Sequence, residues 1–166
     1  MPSLTVTLPF VLERSSDEVA PGVYRSTTET ARGLLRLEPD RLVIQWRTHR
    51  ETAEMGSGYS QREEVEPVRE LSIPVEQLDR AEFVHRRRWL GGAPRVILLA
   101  NDLRAFDGVA GRDGLALAHP SRLELPIARA DAATGREFVA ELAMAISERQ
   151  LRLAEERSRG SLPPTT

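Results

Sequence analysis

Ser121-Arg122-Leu123-Glu124-Leu125-Pro126-Ile127-Ala128, followed by a helical pattern from about Asp131 to Arg157, is the stretch on which the fold turns. Leu123, Leu125 and Ile127 alternate with Arg122, Glu124, Pro126 and Ala128. A period of two predicts a half-buried strand, and Pro126, which has no N–H to donate, suits an edge or irregular position. Phe138, Val139, Leu142, Ala143 and Ile146 then recur at the spacing of a single buried helix face. Thr134-Gly135-Arg136-Glu137 has the form of a capping box, with Asp131 as a rival N-cap. A terminal helix laid over strands, rather than between them, predicts an α+β or capped-barrel architecture.

Towards the N terminus the same alternation returns. Leu4, Val6, Leu8, Phe10 and Leu12 face one side of a strand over residues 4–12, with Pro9 on the other. Residues 13–30 are polar, contain the turn Pro21-Gly22, and are expected to form an excursion between strands. Leu35 and Leu37 match Leu42, Ile44 and Trp46 across Glu38-Pro39-Asp40-Arg41, which predicts a hairpin: Pro39 presets φ for the first central position and Asp40 suits the second. His49 to Pro67 has no apolar period and contains Gly56-Ser57-Gly58 and Glu63-Glu64, so a mobile loop is expected. Strands follow over Glu70–Val75, Leu78–Leu90 and the fully apolar Arg95–Ala100, the last buried on both faces. Asn101 to Pro120 carries glycine turns and a brief Leu115–Ala118 pairing segment. The tail over 158–166, with Pro163-Pro164, is expected to be disordered, leaving one domain over residues 1–157.

Composition narrows the function classes. The net charge of −2 gives no whole-protein field for nucleic acid. The longest aliphatic run, Val96 to Ala100, is far short of the ~20 residues that cross a bilayer. Met1-Pro2-Ser3-Leu4-Thr5 lacks the basic and apolar regions of a signal peptide. With no cysteine, thiol catalysis and disulfides are excluded and a cytoplasmic location is expected. All 23 basic residues are Arg, which points to GC-rich, bacterial coding more than to a mechanism.

The order of hairpin, Ile73-Pro74 strand, long basic strand, aliphatic strand and closing strand-plus-helix resembles the bacterial pleckstrin-homology-like domains over roughly residues 31–150. The resemblance implies a small barrel of seven or eight antiparallel strands in two nearly orthogonal sheets. One C-terminal helix plugs an open corner, and residues 4–12 are an extra strand. It also implies a non-enzymatic binding or scaffold module with no cofactor. Phosphoinositide-binding members use basic residues around the loop joining their first two strands. Here the matching turn, Glu38-Pro39-Asp40, is short and acidic and cradles no phosphate. The helix also lacks the tryptophan typical of eukaryotic members, with Phe138 the nearest large equivalent.

The densest positive cluster is His85-Arg86-Arg87-Arg88-Trp89, with Arg80 and Arg95 nearby. Arg86 and Arg88 share one face of a strand and, with Arg47 and the stacking surface of Trp89, make the candidate ligand site for an anion or acidic peptide. The plainer reading pairs these arginines with Glu63, Glu64 and Glu66. His49, His85 and His119 show no ligand spacing, and Asp107 and Asp113 fit glycine turns rather than a calcium loop, so no metal or catalytic site is expected. The reading is a binding or scaffold module that meets a protein partner, or a second copy through the end of the helix. The alternatives are an anionic-ligand or peripheral membrane binder using the arginines, and a small-barrel enzyme built around a histidine.

Overall fold

The computed structural model describes residues 6–85, 92–109, 115, 117 and 119–160. It is mostly antiparallel β-sheet with one C-terminal helix. The strands are β1 (Thr7–Ala20), β2 (Val23–Leu37), β3 (Arg41–Met55), β4 (Tyr59–Val65), β5 (Arg69–Pro74), β6 (Leu78–Val84), β7 (Arg95–Ala100) and β8 (Arg122–Pro126), followed by α1 (Ala132–Gly160). One sheet has the order β1-β2-β3-β4 with β5 also on β3, and the other has the order β6-β7-β8.

In the first sheet β3 serves two partners. Its first half, Arg41–Trp46, pairs with β5, and its second half, His49–Met55, pairs with β4. From His49↔Val65 to Trp46↔Arg69, three steps along β3 face four along the other chain. Residues 66–68 are therefore a one-residue bulge, and Pro67, lacking an N–H, sits where no ladder bond is needed. β4 and β5 are thus two halves of one line, and the sheet is a four-stranded meander. The hairpin expected at residues 38–41 is present, closed by Leu37↔Leu42 and by the Glu38 N–H donating to the Arg41 carbonyl at 2.9 Å.

One face of this meander builds the core. Leu8, Leu35 and Ile44 form one cross-strand row and Phe10, Gly33 and Trp46 the next, all in unbroken register. Phe10 lies over Gly33: a Cβ there would stand 2.6 Å from Phe10 Cε1 and would also overlap the Gln45 carbonyl. Glycine is required for this close approach rather than for its dihedral freedom. The second sheet contributes Val96, Leu98, Leu123 and Leu125, and Val96, Ile97 and Leu98 are all buried, as a two-faced core strand requires. Phe106, Val109 and Leu115 enter the same core from the turn-rich stretch after β7.

α1 packs on β6 and β1 through Phe138, Val139, Leu142 and Ile146, the stripe read from the sequence. Its start differs from expectation. A single 3-10 turn at Arg129–Asp131 leads into Ala132, so Thr134 is the third helical residue and the Thr134–Glu137 box lies inside the helix. Gly135 marks the tightest crossing, where a Cβ would be 2.7 Å from Phe83 Cε2. The helix continues through residues 158–160, which the sequence assigned to the tail; 161–166 lie outside the described residues.

Two expectations are overturned. Residues 13–30 are not an excursion: β1 and β2 run together from Thr7↔Arg36 to Ala20↔Val23. Residues 49–67 are not a loop: β3 continues to Met55 and β4 returns to Val65. Here the strands leave the core as a blade with both faces in solvent. No apolar face is needed there, so the hydrophobic alternation that marks a strand vanishes while the ladder hydrogen bonds persist. β1 is paired along its whole length and is an integral strand of the sheet rather than an addition to it. Among the described residues, no helix is long and apolar enough to cross a membrane.

Candidate interaction surface

Alternation and register assign every blade residue to a face. On the side continuous with the core, the apolar rows give way to Arg14–Glu29–Arg50–Glu64, then Ser16–Thr27–Thr52–Arg62, then Glu18–Arg25–Glu54–Ser60. Charge alternates across the first of these rows. Arg50 Nε donates to Glu29 Oε1 at 2.8 Å, and its guanidinium also reaches Glu66 at 3.7 Å and Glu64 at 4.0 Å. Glu66, almost buried in the bulge, is shared with Arg69 at 3.5 Å. Near the tip Arg25 binds Glu54 at 2.9 Å and Glu18 at 3.4 Å. The hydrogen bond to Glu54 leads the causes that raise the Arg25 pKa still further above its ordinary value. A shallow trough of ≈ 580 Å³ lies over Arg25, Glu29, Arg50, Glu54 and Arg62. Its charges are mostly spent on one another.

The tip itself is apolar. Val19↔Tyr24, Tyr24↔Met55 and Met55↔Tyr59 are consecutive pairings, so Val19, Tyr24, Met55 and Tyr59 stand in one row across four strands. All four are exposed, by 80%, 42%, 59% and 66% respectively. Two turns carry the row: Pro21-Gly22, with Gly22 at φ +80 as a type II turn demands, and Gly56-Ser57-Gly58, closed by the Gly56 N–H on the Gly58 carbonyl at 2.9 Å.

A second concavity, of ≈ 410 Å³, lies between the Pro39–Arg41 turn, residues 74–76 and the later part of α1. Arg149 Nε bridges it to Glu76 at 3.2 Å, and Arg41 is tied to Asp40 at 3.1 Å and Glu38 at 3.2 Å.

Of the candidate residues named from sequence, Arg47 lies exposed on the outer face of β3, directly across from Arg32. Arg86, Arg88 and Trp89 lie outside the described residues. Of the glutamates expected to meet that cluster, Glu63 binds His49 at 2.7 Å, Glu64 lies 4.0 Å from Arg50, and Glu66 is shared by Arg50 and Arg69. The three histidines are apart. His49 is on Glu63, His119 Nδ1 is 2.8 Å from Ser121 Oγ, and His85 lies 3.3 Å from Arg136, whose guanidinium also covers the Phe83 ring at 5.5 Å. Among the described residues no group of three or more His, Asp or Glu side chains is arranged to hold a metal ion. The tip row went unread in the sequence because its four members are scattered over residues 19–59 and meet only through register.

Comparison with protein-family models, with curated proteins and with solved structures finds no match to this chain.

Proposed function

We propose that the chain is a non-enzymatic binding module with a pleckstrin-homology-like arrangement, and that the blade is the surface it offers to a protein partner. The topology supports the first half. A four-stranded meander, a three-stranded meander and one terminal helix follow in that order, once β4 and β5 count as one bulged line. β1 also approaches β8, the contact through which the two sheets would form a small barrel of seven strands. On this reading the loop joining the first two strands is Pro21-Gly22, not Glu38-Pro39-Asp40. It is just as tight, and its nearest arginine, Arg25, is held by Glu54 and Glu18. A phosphoinositide role is therefore not part of the proposal.

The observation that carries the second half is the exposed row Val19, Tyr24, Met55 and Tyr59. Aromatic and methionine side chains grouped on a projecting surface are what protein interfaces bury at their centre. The free end of α1, with Leu151 65% exposed, is where a second copy would meet this one. The test is co-purification from the source cell with the tagged full chain and with a Tyr24→Ser, Met55→Ser, Tyr59→Ser variant. Loss of a stoichiometric partner from a variant that melts like the parent supports the proposal. An unchanged set of captured proteins, or none above a tag-only control, sinks it.

A further inference from the structure

We infer that the outer face of the first sheet, around Arg32 and Arg47, is a docking site for an acidic, aliphatic peptide segment of a protein partner. The tip row lies on the same face, but eight residues further along β3, and the site does not depend on it. Arg32 and Arg47 are a direct cross-strand pair, both exposed. Like charges placed directly opposite each other destabilise a sheet. Other strand arginines are offset locally: Arg25, Arg36, Arg50, Arg95 and Arg122 each hold a carboxylate. Among the described residues, neither Arg32 nor Arg47 makes an ion pair. Glu13 and Glu70, the closest carboxylates on that face by register, stand one row away, and Glu70 is hydrogen-bonded by Gln45.

The surroundings specify the ligand. Val11, directly across from Arg32, and Leu34 are each 45% exposed, while Val65 and Val68 on the other flank are each 56% exposed. Two arginines directly opposite in register can both donate charge-assisted, bidentate hydrogen bonds to a carboxylate. The aliphatic flanks on both sides accept apolar side chains spaced two residues apart along an extended chain. A bilayer fits less well. The same face carries Asp17, Glu51 and Glu63 further along the blade, which would repel an extended anionic surface more than a narrow peptide seated on the arginine pair.

The probe is a capped, fluorescent six-residue peptide alternating Glu with Leu and Val, titrated with the full chain and read by anisotropy. A matched peptide with Gln for Glu and vesicles containing about 30 mol % phosphatidylserine are the comparison arms. The expected result is saturable, salt-sensitive binding of the Glu peptide. Arg32→Gln plus Arg47→Gln should raise its Kd at least tenfold while the melting temperature stays level or rises, because a like-charge pair has been removed. No saturable binding, equal affinity for the Gln peptide, a Kd unmoved by the double substitution, or capture by vesicles without capture of the peptide would each overturn the inference.

Discussion

Glu29 and Arg50 stand directly opposite each other in the β2–β3 ladder, and Arg50 Nε donates to Glu29 Oε1 at 2.8 Å. Arg14 closes on the same carboxylate from β1, so Glu29 holds together the three strands that leave the core. Burial pushes the Glu29 pKa up, but the Arg50 hydrogen bond and the Arg14 charge pull it down further, and the net result lies below the ordinary value. A folded-state pKa below the unfolded one gives stability that is present above the ordinary glutamate range and lost as pH falls through the folded value. Urea unfolding of the parent and of Glu29→Gln should therefore diverge at pH 7 and draw together progressively as the pH falls below the ordinary glutamate range. Parallel pH profiles would show that this row adds nothing.

Gly33→Ala should destabilise by about 1–3 kcal/mol, the usual cost of forcing atoms into a packed core. Phe10→Leu in the Gly33→Ala background should restore only part of this, since the Gln45 carbonyl also blocks the new Cβ. Denaturant midpoints of the single and double variants decide it. Full recovery would mean that the ring alone excludes a side chain.

Along α1, Phe138→Ala should cost about 3–5 kcal/mol, the range for emptying an aromatic site in a closed core. Leu151→Ala should change stability by less than about 0.5 kcal/mol, because the side chain is 65% exposed. Equal losses at the two positions would contradict the division of the helix into a core half and a free half.

Truncation after Arg149 retains the buried stripe and the Arg149–Glu76 bridge, so the shortened chain should fold. If two copies meet through the helix end, light scattering should show a full-length dimer and a truncated monomer. An unchanged mass removes the helix from any self-association.

The blade should resist proteolysis along its strands and be nicked first at Gly56-Ser57-Gly58. Backbone in a paired ladder must open before a protease can bind it, whereas the glycine turn is already exposed. Mass spectrometry of early subtilisin fragments reads the result. Cuts spread through residues 13–30 or 59–65 would mean that these ladders open readily.

The sequence was most legible where burial imposes a period. Leu123, Leu125 and Ile127 marked β8, Val96 to Leu98 marked β7, and Phe138 to Ile146 marked the packed face of α1. It was illegible where a strand has no buried side. Thr27, Glu29, Thr52 and Glu64 are strand residues held by ladder bonds and neighbouring charge, and neither leaves a hydrophobic alternation. Arg47 was found because it is one of few arginines near the hairpin. Its neighbour Arg32 was missed, since only register shows that the two side chains share a place.

β3 crosses from core to blade without a glycine or proline, and its two halves are paired by different strands. Mechanically it is a cantilever: clamped at one end by Leu42, Ile44, Trp46 and Thr48 in the interior, free at the other for the seven residues from His49 to Met55. At 3.3 Å per residue the free span is about 23 Å. A load applied at Met55 is therefore borne by the same backbone that carries Trp46, with no hinge between them. Whatever grips the tip fixes the heading of the whole domain, so the geometry of an assembly would be set by one strand rather than by the area of a contact.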